Sequence, residues 1–396
     1  MNVGLLAVSS AWGGAEIHSV QLARTLATRG HVATLVCLTE RAYEVYRDRI
    51  DHQIPLVCLP IPKPWREMGF LDWMSLFAGQ EWNVCVLIKG EVHSGGGWAF
   101  DLAARYRFRN YIALEQKNAT PIGPKTSRRH LGFIPGLGLY WYRERLRRFL
   151  RSVGPRVIVC VSEANRQRLI ADHRFPARKM VTARNGIDVQ RFRPDPAHAE
   201  TWRRRWGIPE GALVLGAVGR LAPIKGYDTA LASFQALLER FPDMDLRLVL
   251  VGEGPDEQAL RVQAEQVVPG GRVVFSPFCE RPWEPLNAFD VFVMPSLEEG
   301  LPLALAEAMA CGCCPVATAV GGIPELVASP ELGWLVPVGS TDAFAAAMID
   351  AASRTTQQRA AMGRRAREHV VTNFNAAVQL GVLADIIEST GAAPVG

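Results

Sequence analysis

The sequence predicts a parallel α/β protein built of two doubly wound domains facing one another across a cleft. Short apolar, β-branched runs alternate with helix-like segments along the whole chain, the pattern of strands joined by crossover helices. Two of these runs open alike: Val3 to Val8 leads to Gly13-Gly14, and Val214 to Val218 leads to Gly219-Arg220, each as the first strand of such a unit does. A length of 396 residues suits two to three domains with real cores.

Taken in order, the first half has strands at Asn2 to Val8, Val32 to Leu38, Val84 to Ile88, Tyr111 to Leu114 and Val157 to Val161. A helix from Ile17 to Thr28 follows the first of them. Asn185-Gly186-Ile187-Asp188 is a turn signal, and Arg193-Pro194-Asp195-Pro196 reads as an irregular linker before a helix containing Thr201 to Trp206. Strands of the second half fall at Val214 to Val218, Leu246 to Val251, Val273 to Phe275 and Val291 to Met294. The expected domains are therefore 1–190 and 191–375, with the helical stretch 376–396 returning to pack on the first.

Leu301 to Ile323 carries Glu307 as its only charge and is apolar enough to suggest a membrane span. Pro302, Gly312 and Pro315 interrupt it, so a buried helix, Leu303 to Ala310, and a buried strand, Pro315 to Thr318, account for it instead. The start of the chain, Gly4 to Trp12, is apolar but lacks the basic region of a secretory leader and reads as strand and loop.

The composition, 48% hydrophobic and 21% charged, rules out extended disorder and collagen-like repeats. A net charge of +5 does not demand nucleic acid, and none is expected as a partner. Eight cysteines sit mostly in apolar runs, as buried thiols do in a reducing compartment, so a cytoplasmic protein is expected. Cys311-Gly312-Cys313-Cys314 lacks the further ligands a zinc site needs, which leaves small-residue packing.

Candidate chemistry lies in the loops after strands, where open α/β sheets bind ligands. Gly13-Gly14-Ala15-Glu16 precedes a helix and lets backbone amides approach an anion, although an ordinary tight turn has the same sequence. Arg220 and Lys225, five residues apart in Gly219 to Gly226, form a fork and a mobile point charge suited to a diphosphate. In Pro295 to Ala310 two carboxylates frame a helix start. Glu299 precedes it, and Glu307 sits among apolar neighbours where it needs a donor, such as a ribose hydroxyl pair or an internal arginine. The amides of Gly300, Leu301 and Leu303 are free to meet hydroxyls or phosphate, whereas Pro302 has none.

Together with Val251-Gly252-Glu253-Gly254-Pro255 and Gly321-Gly322-Ile323-Pro324-Glu325, these motifs resemble glycosyltransferase family 4 over nearly the whole chain. The resemblance implies the glycosyltransferase-B fold, two Rossmann-like domains, and transfer of a sugar from a UDP- or GDP-sugar with retention of configuration, without a metal or other cofactor. By the same resemblance Arg220 and Lys225 grip the donor diphosphate, Glu299 faces the transferred sugar, Glu307 holds the ribose, and Gly13 and Gly14 approach the phosphates. His93 follows the third long strand, where relatives often carry His, and either meets sugar or acceptor or has no role. Many relatives have a His after the fourth strand. Here the segment reads Ala113-Leu114-Glu115-Gln116, so Glu115 or Gln116, with Glu16, is the candidate for sugar or acceptor contact.

Charge concentrates in residues 125–156, nine basic residues against the single Glu144. Trp141 and its apolar neighbours interleave there with Arg143, Arg145, Arg147, Arg148 and Arg151, as in a helix lying on an anionic membrane, or in a solvated helix with its apolar side on the core. The expected function is a hexosyltransferase acting on a glycan or a polyprenyl or other lipid-linked acceptor. The expected context is bacterial lipopolysaccharide, capsule or exopolysaccharide, at the inner face of the cytoplasmic membrane. A nucleotide-sugar epimerase of related fold and a non-catalytic binding partner are the alternatives.

Overall fold

The structure, a computed structural model, describes the chain apart from residues 8–13, 51, 65–66, 90–96, 109, 116–153, 173–174, 269 and 393–396. It divides into two units, one of residues 1–185 and 378–396 and one of residues 186–377. The crossings thus fall a few residues from 190 and 375. A parallel bridge between Ile187 and Asn375 holds both crossing segments in the second unit, with Ile187 donating to the Phe374 carbonyl at 2.7 Å. Gly186 is required there, because a Cβ would come within 2.3 Å of the Ala376 Cα.

In the first unit β1 (Asn2–Ala7), β2 (Val32–Cys37), β3 (Leu56–Cys58), β4 (Val84–Lys89), β5 (Tyr111–Glu115), β6 (Val157–Cys160) and β7 (Met180–Thr182) form one sheet. Its order is β3-β2-β1-β4-β5-β6-β7, with every pairing parallel. Leu5, Leu6, Val86, Leu87, Ile112 and Leu114 are all fully buried, the two-sided burial that makes such strands continuously apolar. Beside the sheet Trp73, Phe77, Phe100 and Phe108 pack mostly edge to face. The last helix, Ala376–Ala392, buries Leu383, Ala384 and Ile387. Its outer side carries Asp385 and Glu388, which Arg29 meets at 2.6 and 3.2 Å. Hydrogen bonds from His31 and then Arg29 hold the Glu388 carboxyl below its ordinary range.

In the second unit β8 (Leu213–Val218), β9 (Leu246–Val251), β10 (Val273–Ser276), β11 (Val291–Met294), β12 (Cys314–Thr318) and β13 (Trp334–Val336) form a parallel sheet ordered β10-β9-β8-β11-β12-β13. The helices Tyr227–Arg240 and Thr341–Ser353 cover it, burying Leu231, Phe234, Leu237, Phe344 and Met348. The apolar stretch from 301 resolves into the helix Leu303–Ala310 and strand β12. No helix among the described residues is long and apolar enough to cross a membrane. Cys313 and Cys314 are free buried thiols donating to the Leu286 and Asp290 carbonyls, each at 3.3 Å, and burial pushes the Cys314 thiol up to about 12.

Strand order reverses between β1 and β4 in one unit and between β8 and β11 in the other. Crossovers leave in opposite directions at such switch points, so the loops beyond the strand ends diverge and leave room for a ligand.

Candidate functional site

The loops beyond β8 and β11 hold most of the candidate residues, and glycines bring the backbones there into contact. Gly219 continues the ladder by donating to the Val251 carbonyl at 3.0 Å. A Cβ on Gly252 would lie 2.0 Å from the Gly219 carbonyl oxygen, and one on Gly254 would lie 2.1 Å from that of Leu221. Further on, Pro223–Lys225 forms a tight 3-10 turn ending at Gly226, whose φ of +65° favours glycine. A Cβ on Gly226 would come 2.3 Å from the Pro295 carbonyl oxygen, while Leu297 donates to the Ile224 carbonyl at 2.8 Å. The loop after β8 is thereby fixed against the loop after β11.

That fixing brings two sequence candidates together. Lys225 Nζ lies 2.6 Å from Glu299 Oε1, and the Ser296 hydroxyl donates to the same oxygen at 2.7 Å. Glu299 keeps only 9% of its side chain exposed and Lys225 25%, so the contact is largely shielded and stronger than an open surface pair. Tyr227 is buried alongside, and burial together with the Glu299 charge pushes its phenol up. Arg220 is exposed and makes no hydrogen bond or ion pair among the described residues.

Beyond Glu299 the chain turns into the helix Leu303–Ala310. The Gly300 carbonyl accepts from Gly322 at 2.6 Å, Leu301 is buried and Leu303 partly so. The first amides of this helix, Leu303 among them, have no acceptor within it and are available to a ligand. Glu307 projects from the following turn, partly buried. Burial pushes its carboxyl up to about 7, and no side-chain hydrogen bond or ion pair to it is present among the described residues. A carboxyl so placed is suited to receive hydroxyl donors from a ligand.

In the first unit Gly14 and Glu16 belong to the helix Gly14–Thr28 itself, whose start lies upstream of the Ile17 read from the sequence. Glu16 is buried, and its carbonyl accepts from Ser19 at 2.7 Å. Glu115 ends β5 and is 2% exposed. Gly13, His93, Gln116 and the basic stretch with Trp141, Arg143, Arg145, Arg147, Arg148 and Arg151 lie outside the described residues.

Ser296 and Glu253 have structural parts that the sequence reading does not assign. Glu253 Oε1 accepts from the Phe278 amide at 3.4 Å and ties down the loop after β10. The sequence signal for Ser296 is its place three residues before Glu299, close enough to share a turn.

Residues 12–191 match the family model described as Glycosyltransferase Family 4, and residues 198–369 match that of Glycosyl transferases group 1. Between them the two models take in nearly the whole chain. The chain belongs to glycosyltransferase family 4. Among curated relatives, the putative colanic acid biosynthesis glycosyltransferase WcaL of Escherichia coli is 34% identical over 224 residues, 54% of this chain and 52% of WcaL. A GDP-mannose-dependent alpha-(1-6)-phosphatidylinositol monomannoside mannosyltransferase of Mycolicibacterium smegmatis is 32% identical over 250 residues, 60% of this chain and 64% of its own. The family 4 chain thus spans 45% to 64% of the length of these curated relatives. Its fold is that of Anabaena HepE solved in complex with UDP, with a TM-score of 0.80 at 19% identity over 98% of this chain and all of that one. WaaG, a glycosyltransferase involved in lipopolysaccharide biosynthesis, gives a TM-score of 0.72 at 16% identity, covering 97% and 99% of the two chains. The fold is accordingly glycosyltransferase-B, with two Rossmann-like units.

Proposed function

We propose that this chain is a retaining, metal-independent glycosyltransferase that moves a sugar from a nucleoside diphosphate sugar to a glycan or lipid-linked acceptor. The observation that carries the reading is the shielded contact of Lys225 with Glu299, held by Ser296 at a sheet switch point. In this reading Lys225 keeps Glu299 with one N–H and offers others to the donor's diphosphate, which Arg220 grips with its fork. Glu299 and the amides of Gly300, Leu301 and Leu303 orient the transferred sugar. Glu307 receives the ribose hydroxyls. Gly13 and Gly14 approach the phosphates, and His93, Glu16, Glu115 and Gln116 are the candidates for sugar or acceptor contact.

Chemically, the bond from the anomeric carbon to the diphosphate breaks while the acceptor oxygen bonds to that carbon on the same face. The acceptor proton passes to the departing phosphate, and the nucleoside diphosphate leaves. Arg220 and Lys225 stabilise the negative charge that gathers on it. UDP and GDP donors are both in keeping with the relatives: HepE was solved with UDP, and the Mycolicibacterium relative is named for GDP-mannose. The name of WcaL supports a surface polysaccharide, whether exopolysaccharide, capsule or lipopolysaccharide, as the product. The basic stretch 125–156 supports work on the cytoplasmic face of an anionic membrane.

Calorimetric titration with UDP, GDP and ADP in the absence of metal tests this. Micromolar binding of one nucleotide, lost in Arg220→Ala and Glu307→Ala, is expected, and no binding of any overturns the reading. The anomeric configuration of the product, read by NMR, tests retention separately.

A further inference from the structure

A cavity of about 220 Å3 in the second unit is lined by Trp334, Met362, Gln358 and three arginines, Arg354, Arg359 and Arg365. None of these lies in the loops that carry Arg220, Lys225, Glu299 or Glu307. No residue of the candidate transfer site lines the cavity.

Each guanidinium is held by the protein through part of its donor set. Arg354 donates to Asp350 at 3.0 Å, and Arg365 Nε donates to the Glu331 carbonyl at 3.2 Å. Arg359 caps the preceding helix by donating to the carbonyls of Ala351 and Ala352 at 3.4 Å and to that of Arg354. The Trp334 indole N–H is committed to Asp350 at 2.7 Å, which fixes the ring. A guanidinium has five N–H donors in a rigid fork, so donors remain on each after these bonds are made. Asp350 is the one carboxylate in this set, and Arg354 and Trp334 hold it below its ordinary range, so it stays ionised. Three arginines, of which Arg354 and Arg365 are exposed and Arg359 partly buried, thus line the cavity beside one carboxylate and a wall of indole and thioether.

We infer that this cavity is a second ligand site, for a single-ring sugar carrying a carboxylate or a phosphate. Ordinary small-molecule sites measure about 300–1,000 Å3, and this one is below that range, which suits one ring and excludes a nucleotide. A cation meets repulsion from the arginines. A neutral sugar leaves their charge unanswered, and a bare anion leaves the indole face unused. A sugar ring has an apolar C–H face for Trp334, and its acid group matches the planar fork of arginine.

The test is a titration of the full chain with glucuronate, glucose 6-phosphate, glucose and inorganic phosphate, followed by ligand-observed NMR and tryptophan fluorescence. Glucuronate or glucose 6-phosphate is expected to bind with a dissociation constant of about 1 mM or tighter. Arg365→Gln is expected to weaken that binding about tenfold or more, with UDP binding unchanged. Trp334→Phe is expected to abolish the fluorescence response and serves as the second variant should Arg365→Gln not fold. Preference for one of the two acids decides which group the arginines take. The inference is overturned if none of the four binds saturably, if glucose or phosphate alone binds as well as the acid sugars, or if Lys225→Ala removes the acid-sugar binding.

Discussion

Lys225 and Glu299 stand 74 residues apart in the chain and 2.6 Å apart in space, and two backbone contacts hold them there, Gly226 against Pro295 and Leu297 to Ile224. On the proposed reading this cation and carboxylate act as one unit on a bound diphosphate sugar. Lys225→Ala and Glu299→Gln are each expected to lower kcat by about 10²–10³-fold, the range for removing one preorganised charge-stabilising group. Steady-state rates, with circular dichroism to confirm folding, check this. Lys225→Ala should also weaken nucleotide binding, because on that reading it removes a contact to the diphosphate.

Ser296→Ala removes one of the donors to the Glu299 carboxylate and leaves Lys225 in place. The expected loss is about 1 kcal/mol, or roughly three- to tenfold in kcat, with little change in donor KM. An equal fall in nucleotide affinity would place the serine's effect on binding instead.

Glu307 gives a pH dependence of definite sign. Its folded carboxyl titrates at about 7, above the unfolded value of about 4.3, so the fold holds the proton more tightly than the unfolded chain does. Its contribution to stability is whole below the unfolded value and is lost as pH rises towards 7, by up to about 3 kcal/mol. Glu307→Gln is expected to melt with wild type at pH 4.5 and above it at pH 8, while binding nucleotide more weakly. Thermal melts across that range decide it, and a constant offset at all pH values rejects the burial argument.

Gly226→Ala puts a methyl group 2.3 Å from a backbone carbonyl in a left-handed conformation. Neither can yield without moving Lys225. A loss of about 2–4 kcal/mol is expected in urea titration, together with a fall in donor affinity.

Leu383→Ala in the last helix empties a side chain that is 1% exposed. The expected cost is about 2–5 kcal/mol, measured by calorimetry as an earlier transition. Glu388→Gln, which touches the ion pairs with Arg29 and His31, should cost far less, because those groups are partly solvated.

Much of this architecture is legible in the sequence because parallel strands buried on both faces are apolar without interruption. Val84 to Ile88 and Leu246 to Val251 declare themselves that way. The short strands Leu56–Cys58, Met180–Thr182 and Trp334–Val336 do not, since each lies at a sheet edge, is only partly buried and is three residues long. At the site the residue types were readable but their pairing was not. Arg220, Lys225, Glu299 and Glu307 announce an anion and a sugar, yet the contact of Lys225 with Glu299 depends on how two loops meet. Ser296 was hidden for the same reason, as a hydroxyl tells nothing until its neighbour is known. The sequence offers no sign of the arginines gathered around Trp334, because Trp334 meets them only once strand and helix pack together.

The first unit owns both the opening 185 residues and residues 378–396, with the second unit inserted between them. During synthesis on a ribosome the second unit is therefore the earlier to have its whole chain available, although it is encoded later. The first must wait, with its sheet lacking the cover of Leu383, Ala384 and Ile387, until residues 378–392 have been made. A chain cut just after residue 377 would have a finished second unit and an unfinished first one, a species with exposed apolar surface for chaperones and proteases to act on.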